Sequence, residues 1–230
     1  MLQHGEQAFA WLLDYLYAGA WQLRALLPSK LAQHLRTSTD AQAEHIVLIP
    51  GIWESWQFMT PLARYLHQAG YRVHVVPTLG YNRGTVPAMS EIVARYLADA
   101  DLQEVVLVAH SKGGLIGKYL MAASTQGYRV NKMIAISTPF SGSGYARYAP
   151  IRSLRALSPN DVGVLKLAAN LSVNARIISI FSRFDPHIPG GSELAGATNI
   201  KLETMGHFSL LNDQRLKQAV REHLGPTGSA

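Results

Sequence analysis

The chain has 230 residues, 48% hydrophobic and 16% charged, which suits one folded domain with a substantial core. It has no cysteine, so disulfides, thiolate nucleophiles and cysteine-based zinc sites are excluded. The formal net charge of +6 comes from scattered Lys and Arg without a basic run, so it reads as ordinary solubility charge and no nucleic-acid partner is expected.

Residues 1–44 read as an N-terminal helical arm and linker, and residues 45–230 as one α/β domain. A helix is predicted over Glu6–Leu27, broken by Pro28-Ser29, with a short helix to Arg36 and a polar linker over Thr37–Glu44. The apolar stretch Ala8–Leu27 is about long enough to span a bilayer. Asp14 and Arg24 interrupt it, and each charge in lipid costs roughly 2.5–3.5 kcal/mol. The arm is therefore expected to lie on something, either the protein body or a membrane surface. Met1–Gln7 carries no Lys or Arg, so the basic start of a secretory signal is missing. The expected location is cytoplasmic or membrane-associated. Ala18-Gly19-Ala20, similar to a small-residue cleavage site, leaves export open.

Beyond the arm, Val- and Ile-rich runs alternate with amphipathic stretches. Strands are predicted at His45–Pro50, Tyr71–Pro77, Glu104–Ala109, Val130–Ser137, Ala175–Ser182 and, more weakly, Asn199–Glu203. Helices are predicted at Trp56–Gln68, Val86–Leu97, Gly113–Ala123, Pro159–Leu171 and Phe208–His223. Strands that are apolar at nearly every position suit a sheet buried on both faces. The alternation predicts a mostly parallel α/β sheet of about six strands with helices on both sides.

The sharpest local signal is Val105-Val106-Leu107-Val108-Ala109-His110-Ser111-Lys112-Gly113-Gly114. A buried strand ends in a tight turn at Ser111 and a helix follows. Ala109 and Gly113, two residues either side, are small, as a close strand–helix approach requires. The turn would expose the serine oxygen at the head of a helix, where the Lys112 amide is free to stabilise an oxyanion. Serine is a weak nucleophile alone and needs a base held by an acid. Asp185 follows the fifth strand in a turn fixed by Pro186 and Pro189, and His207 follows the sixth strand after Gly206. Asp161 is the second acid candidate, but helix capping explains it. Among other histidines, His110 is expected to point into the core, His187 to line the site, and His45 and His74 to be structural. The loop Pro50-Gly51-Ile52-Trp53 follows the first strand, and its Ile52 amide is the expected second oxyanion donor.

These segments together resemble the α/β-hydrolase superfamily, in particular its small bacterial lipases and esterases. Ala-His-Ser-Lys-Gly-Gly is similar to the lipase nucleophile turn in which Ala replaces the first Gly. Pro50-Gly51-Ile52 resembles the oxyanion loop, with Pro50 where His is common. Residues 137–143 resemble a Thr-Pro-x-x-Gly-Ser segment of such lipases. The resemblance covers roughly residues 45–224 and implies the α/β-hydrolase fold without the two extra antiparallel strands that often open it. It implies Ser111 as nucleophile, Asp185 as acid and His207 as base, with no cofactor and no metal. Trp53, Trp56, Met59, Phe140, Ile188, Met205 and Phe208 are the expected pocket residues. Their apolar character favours a small-molecule acyl ester. Acyl transfer, amide hydrolysis and a non-catalytic lipid- or partner-binding role stay open. The short stretch between Ser137 and Ala175 leaves no room for a large cap.

Overall fold

A computed structural model describes residues 2–26, 30–38 and 43–226. Leu27, the Pro28-Ser29 break and residues 39–42 of the linker lie outside the described residues. The chain opens with α1 (Leu2–Ala25) and the single turn α2 (Leu31–His34). The alternating part follows: β1 (His45–Ile49), α3 (Thr60–Gln68), β2 (Arg72–Val75), α4 (Val86–Asp99), β3 (Val105–His110), α5 (Lys112–Ala123) and β4 (Val130–Ile136). It ends with α6 (Arg152–Arg155), α7 (Val162–Ala169), β5 (Ile177–Phe184), β6 (Thr198–Met205) and α8 (Gln214–Glu222).

The six strands form one sheet in the order β2-β1-β3-β4-β5-β6, and every neighbouring pair is parallel. Each strand alternates its side chains between two cores. From β1 and β3, Val47, Ile49, Val105, Leu107 and Ala109 join one core, packed under α4, α5 and α7. Ile46, Leu48, Val106 and Val108 join the other, under α3 and α8. Both faces being covered explains why these strands read as continuous apolar runs. Truncating a fully buried leucine such as Leu107 is expected to cost about 2–5 kcal/mol.

The predicted helices at Trp56–Gln68 and Phe208–His223 each begin as a separate 3-10 turn, at Trp56–Met59 and Ser209–Asn212. Asp161 caps α7, accepting from the amides of Gly163 and Val164. The segment between β4 and β5 holds two 3-10 turns (Gly144–Tyr148 and Asn174–Arg176), α6 and α7, so the cap is short. Because all strands run the same way, every strand-to-helix loop gathers at one edge. The order reverses about β1, since β2 and β3 flank it, which opens a crevice at the carboxyl ends of β1 and β3.

Candidate active site

Ser111 stands between β3 and α5 with φ +52°, a left-handed conformation uncommon for a residue with a side chain. Packing holds it there. A Cβ on Gly113 would lie 2.3 Å from the Ile49 carbonyl oxygen and 2.9 Å from that of Pro50, so only glycine lets α5 seat against β1. The Ser111 amide donates to the Ile136 carbonyl (2.8 Å), and Thr138 Oγ1 donates to the Ser111 carbonyl (3.0 Å). The buried Lys112 ammonium donates to the Asn82 and Gly84 carbonyls, and Asn82 Nδ2 donates to Pro50 (2.7 Å). Burial lowers the Lys112 ammonium to a pKa of about 8. The elbow is thus tied to the loops after β1 and β2.

Across the crevice, His207 Nε2 lies 3.0 Å from Ser111 Oγ and His207 Nδ1 lies 2.7 Å from Asp185 Oδ2. Asp185 uses its other oxygen to accept the amides of His187 (2.8 Å) and Ile188 (3.1 Å), which fixes the carboxylate plane. All three side chains are buried. Burial opposes charging of His207, but the Asp185 charge and hydrogen bond, with Glu54 and Asp14 behind them, outweigh it. They hold the imidazole above its ordinary value of 6.5. Burial likewise opposes the Asp185 carboxylate, and His207 overcomes it, lowering that pKa. For His187 the balance falls the other way: burial first, then the His207 charge, outweighs the Asp185 and Asp14 charges and lowers it to about 4.

His110 points away from Ser111, as expected, but it is not alone in the core. Its Nδ1 meets Glu54 Oε2 at 2.9 Å and its Nε2 meets the His207 carbonyl oxygen at 3.1 Å. Glu54 Oε2 also accepts the Gly51 amide (2.8 Å), so that amide is committed. Glu54 and His110 therefore link the loop after β1, the end of β3 and the loop after β6. Glu54, His110 and His207 bring possible metal-ligand atoms within 4.8 Å of one another. All four ring nitrogens already face oxygen partners, so the cluster has the form of a proton network rather than a metal cage.

Ser111 and His207 open onto a cleft of about 380 Å³. Of the expected pocket residues, Trp53, Ile188 and Phe208 line it, as does Ile52 of the loop after β1. Trp56 and Met59 do not: the 3-10 turn directs them into the core under α3 and α8. Phe140 is corrected likewise; it lies in the opposite core, with Lys118 Nζ 5.9 Å from its ring centre. Met205 sits instead in a shallow groove with Glu6, Gln7 and Arg183. His187 lines it too, as expected, and further walls come from Tyr15 of α1 and from Tyr145, Ala149, Leu154 and Leu157 of the short cap. Their apolar residues carry no motif, so nothing in the sequence marked them.

Asp14, read from the sequence as an interruption in an apolar helix, is fully buried. Its carboxylate accepts the His207 amide (2.6 Å), the Phe208 amide (3.1 Å), the Ser209 amide (2.9 Å) and the Ser209 hydroxyl (2.6 Å). Gly206, with φ +115°, is required here: a Cβ would lie 2.3 Å from Ser209 Oγ and 2.7 Å from Asp14 Oδ1. The space beside His207 is therefore filled by Asp14 and Ser209. Elsewhere along α1, Tyr17 donates to the Phe58 carbonyl and Gln22 to that of Trp53 (both 2.8 Å). Trp11 and Tyr15 pack on the His187 ring.

A sequence profile of the alpha/beta hydrolase family matches residues 46–220, and the chain belongs to that family. Similar solved structures include the Bacillus licheniformis lipase BlEst2 in two forms. The propeptide form is 15% identical, with a TM-score of 0.66 over 83% of this chain and 53% of that one. The mature form is 18% identical, with a TM-score of 0.62 over 80% of this chain and 92% of that one. Aspergillus fumigatus lipase B is 17% identical, with a TM-score of 0.62 over 82% of this chain and 54% of that one. This chain thus spans about half the length of the propeptide form and of the fungal lipase. At these identities the likeness is one of fold. Among the described residues no helix is long and apolar enough to cross a membrane.

Proposed function

We propose that this alpha/beta hydrolase cleaves carboxylic esters with apolar acyl groups through an acyl-enzyme on Ser111. The observation that carries the reading is the continuous contact from Ser111 Oγ through both His207 nitrogens to Asp185, at 3.0 and 2.7 Å, beside an apolar cleft. Ser111 Oγ attacks the ester carbonyl carbon as its proton passes to His207 Nε2. The imidazolium keeps its Nδ1 proton and donates it in a hydrogen bond to the Asp185 carboxylate. The amides of Ile52 and Lys112 receive the tetrahedral oxyanion, each worth about 2.7–4 kcal/mol. The imidazolium then protonates the departing alcohol. Water, deprotonated by the same histidine, releases the acid and restores the serine.

The apolar walls favour an acyl chain over a sugar or charged group. The same reading makes α1 a lipid-facing surface. Phe9, Leu12, Leu13, Leu16 and Leu23 are exposed on it, while Tyr15 of the same helix lines the cleft. An apolar helix face beside an acyl-binding cleft suits a lipid–water interface.

The test is fluorophosphonate labelling beside a p-nitrophenyl ester series of increasing chain length. Wild type is expected to label and turn over, and Ser111→Ala to lose about 10⁶-fold in kcat. Equal labelling of the two proteins would sink the assignment. For the surface, vesicle sedimentation of a Leu12→Gln/Leu16→Gln variant should show reduced binding with soluble-ester turnover unchanged. A wild type that ignores vesicles would overturn the lipid-facing part alone.

A further inference from the structure

We propose that Asp14 is a positioning residue for the general base: α1 reaches across the fold and clamps the backbone that carries His207. This inference rests on the role proposed above for His207.

The case begins with the pattern of α1. Ala10, Asp14, Tyr17, Ala18 and Trp21 recur at helical spacing and face inward, while Phe9, Leu12, Leu13 and Leu16 face out. The centre of the inward face is thus a carboxylate, the group most costly to bury without partners. It has four donors, all from His207, Phe208 and Ser209. Both oxygens are used, Oδ2 by the His207 amide and Oδ1 by the other three. Nothing in the turn itself supplies an acceptor for these donors. Three amides at the head of a 3-10 turn would otherwise face the interior unpaired.

The clamp bears on the base directly. The His207 amide is held by Asp14 and its carbonyl by His110 Nε2, so the backbone on both sides of its Cα is fixed. Side-chain contacts then set the ring: Asp185 on Nδ1 and Ser111 on Nε2. Removing the Asp14 carboxylate releases one side of that backbone, and a shift of about 1 Å at a reacting group can cost about 10²-fold in rate.

Asp14→Asn tests this. The asparagine oxygen can still serve Phe208 and Ser209, but its NH₂ then confronts the His207 amide, donor against donor. We expect kcat to fall about 10²-fold with KM little changed. The acid limb of the kcat/KM profile should also move to lower pH. The charged and titratable groups facing His207 are Asp185 and His187 after β5, Glu54 after β1, His110 at the end of β3, and Asp14. Removing a negative charge from that set favours the neutral imidazole. Asp14→Glu, which keeps the charge on a longer stem, should restore the acid limb more fully than kcat.

Circular dichroism and thermal melting establish that each variant is folded. Fluorophosphonate titration corrects for the active fraction. A folded Asp14→Asn protein with wild-type kcat and wild-type acid limb would overturn the proposal. So would a loss accounted for entirely by fewer active sites. An NMR titration of the His207 imidazole in both proteins reads the same coupling without turnover. If wild type fails to label at Ser111 but the His207 resonance still responds to Asp14→Asn, the hydrolytic reading fails and the clamp on His207 stands.

Discussion

Ser111 and His207 lie 3.0 Å apart, yet the chain holds them by different means. Ser111 is fixed chiefly by neighbours in sequence, β3 behind it, α5 ahead of it and Gly113 pressed against the end of β1, with Ile136 and Thr138 holding its amide and carbonyl. His207 sits in a loop whose supports come from far away. Asp14 is 193 residues distant and His110 is 97. One half of the site is built mainly by local backbone geometry with two hydrogen bonds from β4 and the loop after it, the other by hydrogen bonds that reach much further along the chain. Substitutions at the first half should act on folding and the nucleophile together. Those at the second can act on the base while leaving the sheet intact.

The largest expected effect outside the nucleophile is at the acid. Asp185→Asn keeps an oxygen for the His187 and Ile188 amides but turns an NH₂ toward His207 Nδ1. That imposes the wrong tautomer, and kcat should fall about 10⁴-fold with melting close to wild type. A large drop in melting temperature would show that Asp185 holds the loop more than the ring. Gly113→Ala should do the reverse. Its Cβ meets backbone oxygens that cannot swing aside, so the cost in urea unfolding should reach at least the 1–3 kcal/mol typical of overpacking. Unchanged stability would mean that the elbow is looser than its contacts indicate.

A smaller effect concerns pH. Since the Asp185–His207 pair raises the imidazole above 6.5, kcat/KM should fall as acid protonates the base, with a midpoint above that value. A midpoint below it would mean that burial outweighs Asp185. The smallest expected effect is on stability. His187 is held neutral to about 4 in the fold but titrates near 6.5 when unfolded. The unfolded chain therefore binds more protons between those values, and stability should decline as pH falls from about 6.5 to about 4. His187→Gln should flatten that decline, as read by denaturant titration at several pH values. An equal slope in both proteins would remove His187 as its cause.

The same contrast explains what was readable in the sequence. The elbow announces itself in ten consecutive residues, because strand, turn and helix are local patterns. The six strands are equally visible, since burial on both faces leaves continuous apolar runs. Asp185 and His207 follow from chain order once the elbow is recognised. Asp14 was visible only as a charge in an apolar helix, a position equally consistent with a surface and a buried partner. Glu54 carried no signal beyond its closeness to Gly51, since its His110 partner lies 56 residues on. Trp56, Met59 and Phe140 were misplaced because an aromatic or apolar residue beside a motif does not declare which way it points. A 3-10 turn rotates Trp56 and Met59 inward, and periodicity does not anticipate that rotation.

The backbone torsions at the carboxyl edge of the sheet carry a final consequence. Trp53, Ser111 and Ser137, which follow β1, β3 and β4, have φ values of +61°, +52° and +46°. Each is a side-chain-bearing residue in a left-handed conformation, and such conformations persist only where the surroundings enforce them. The opposite edge, where the strands begin, carries none of the proposed chemistry. For an engineer seeking a hardier protein, the two edges are therefore separate territories. The turns that enter β2, β3 and β4 can be shortened or rebuilt with little bearing on reactivity. Relaxing a residue at the other rim would ease the chain and blunt the tool at once.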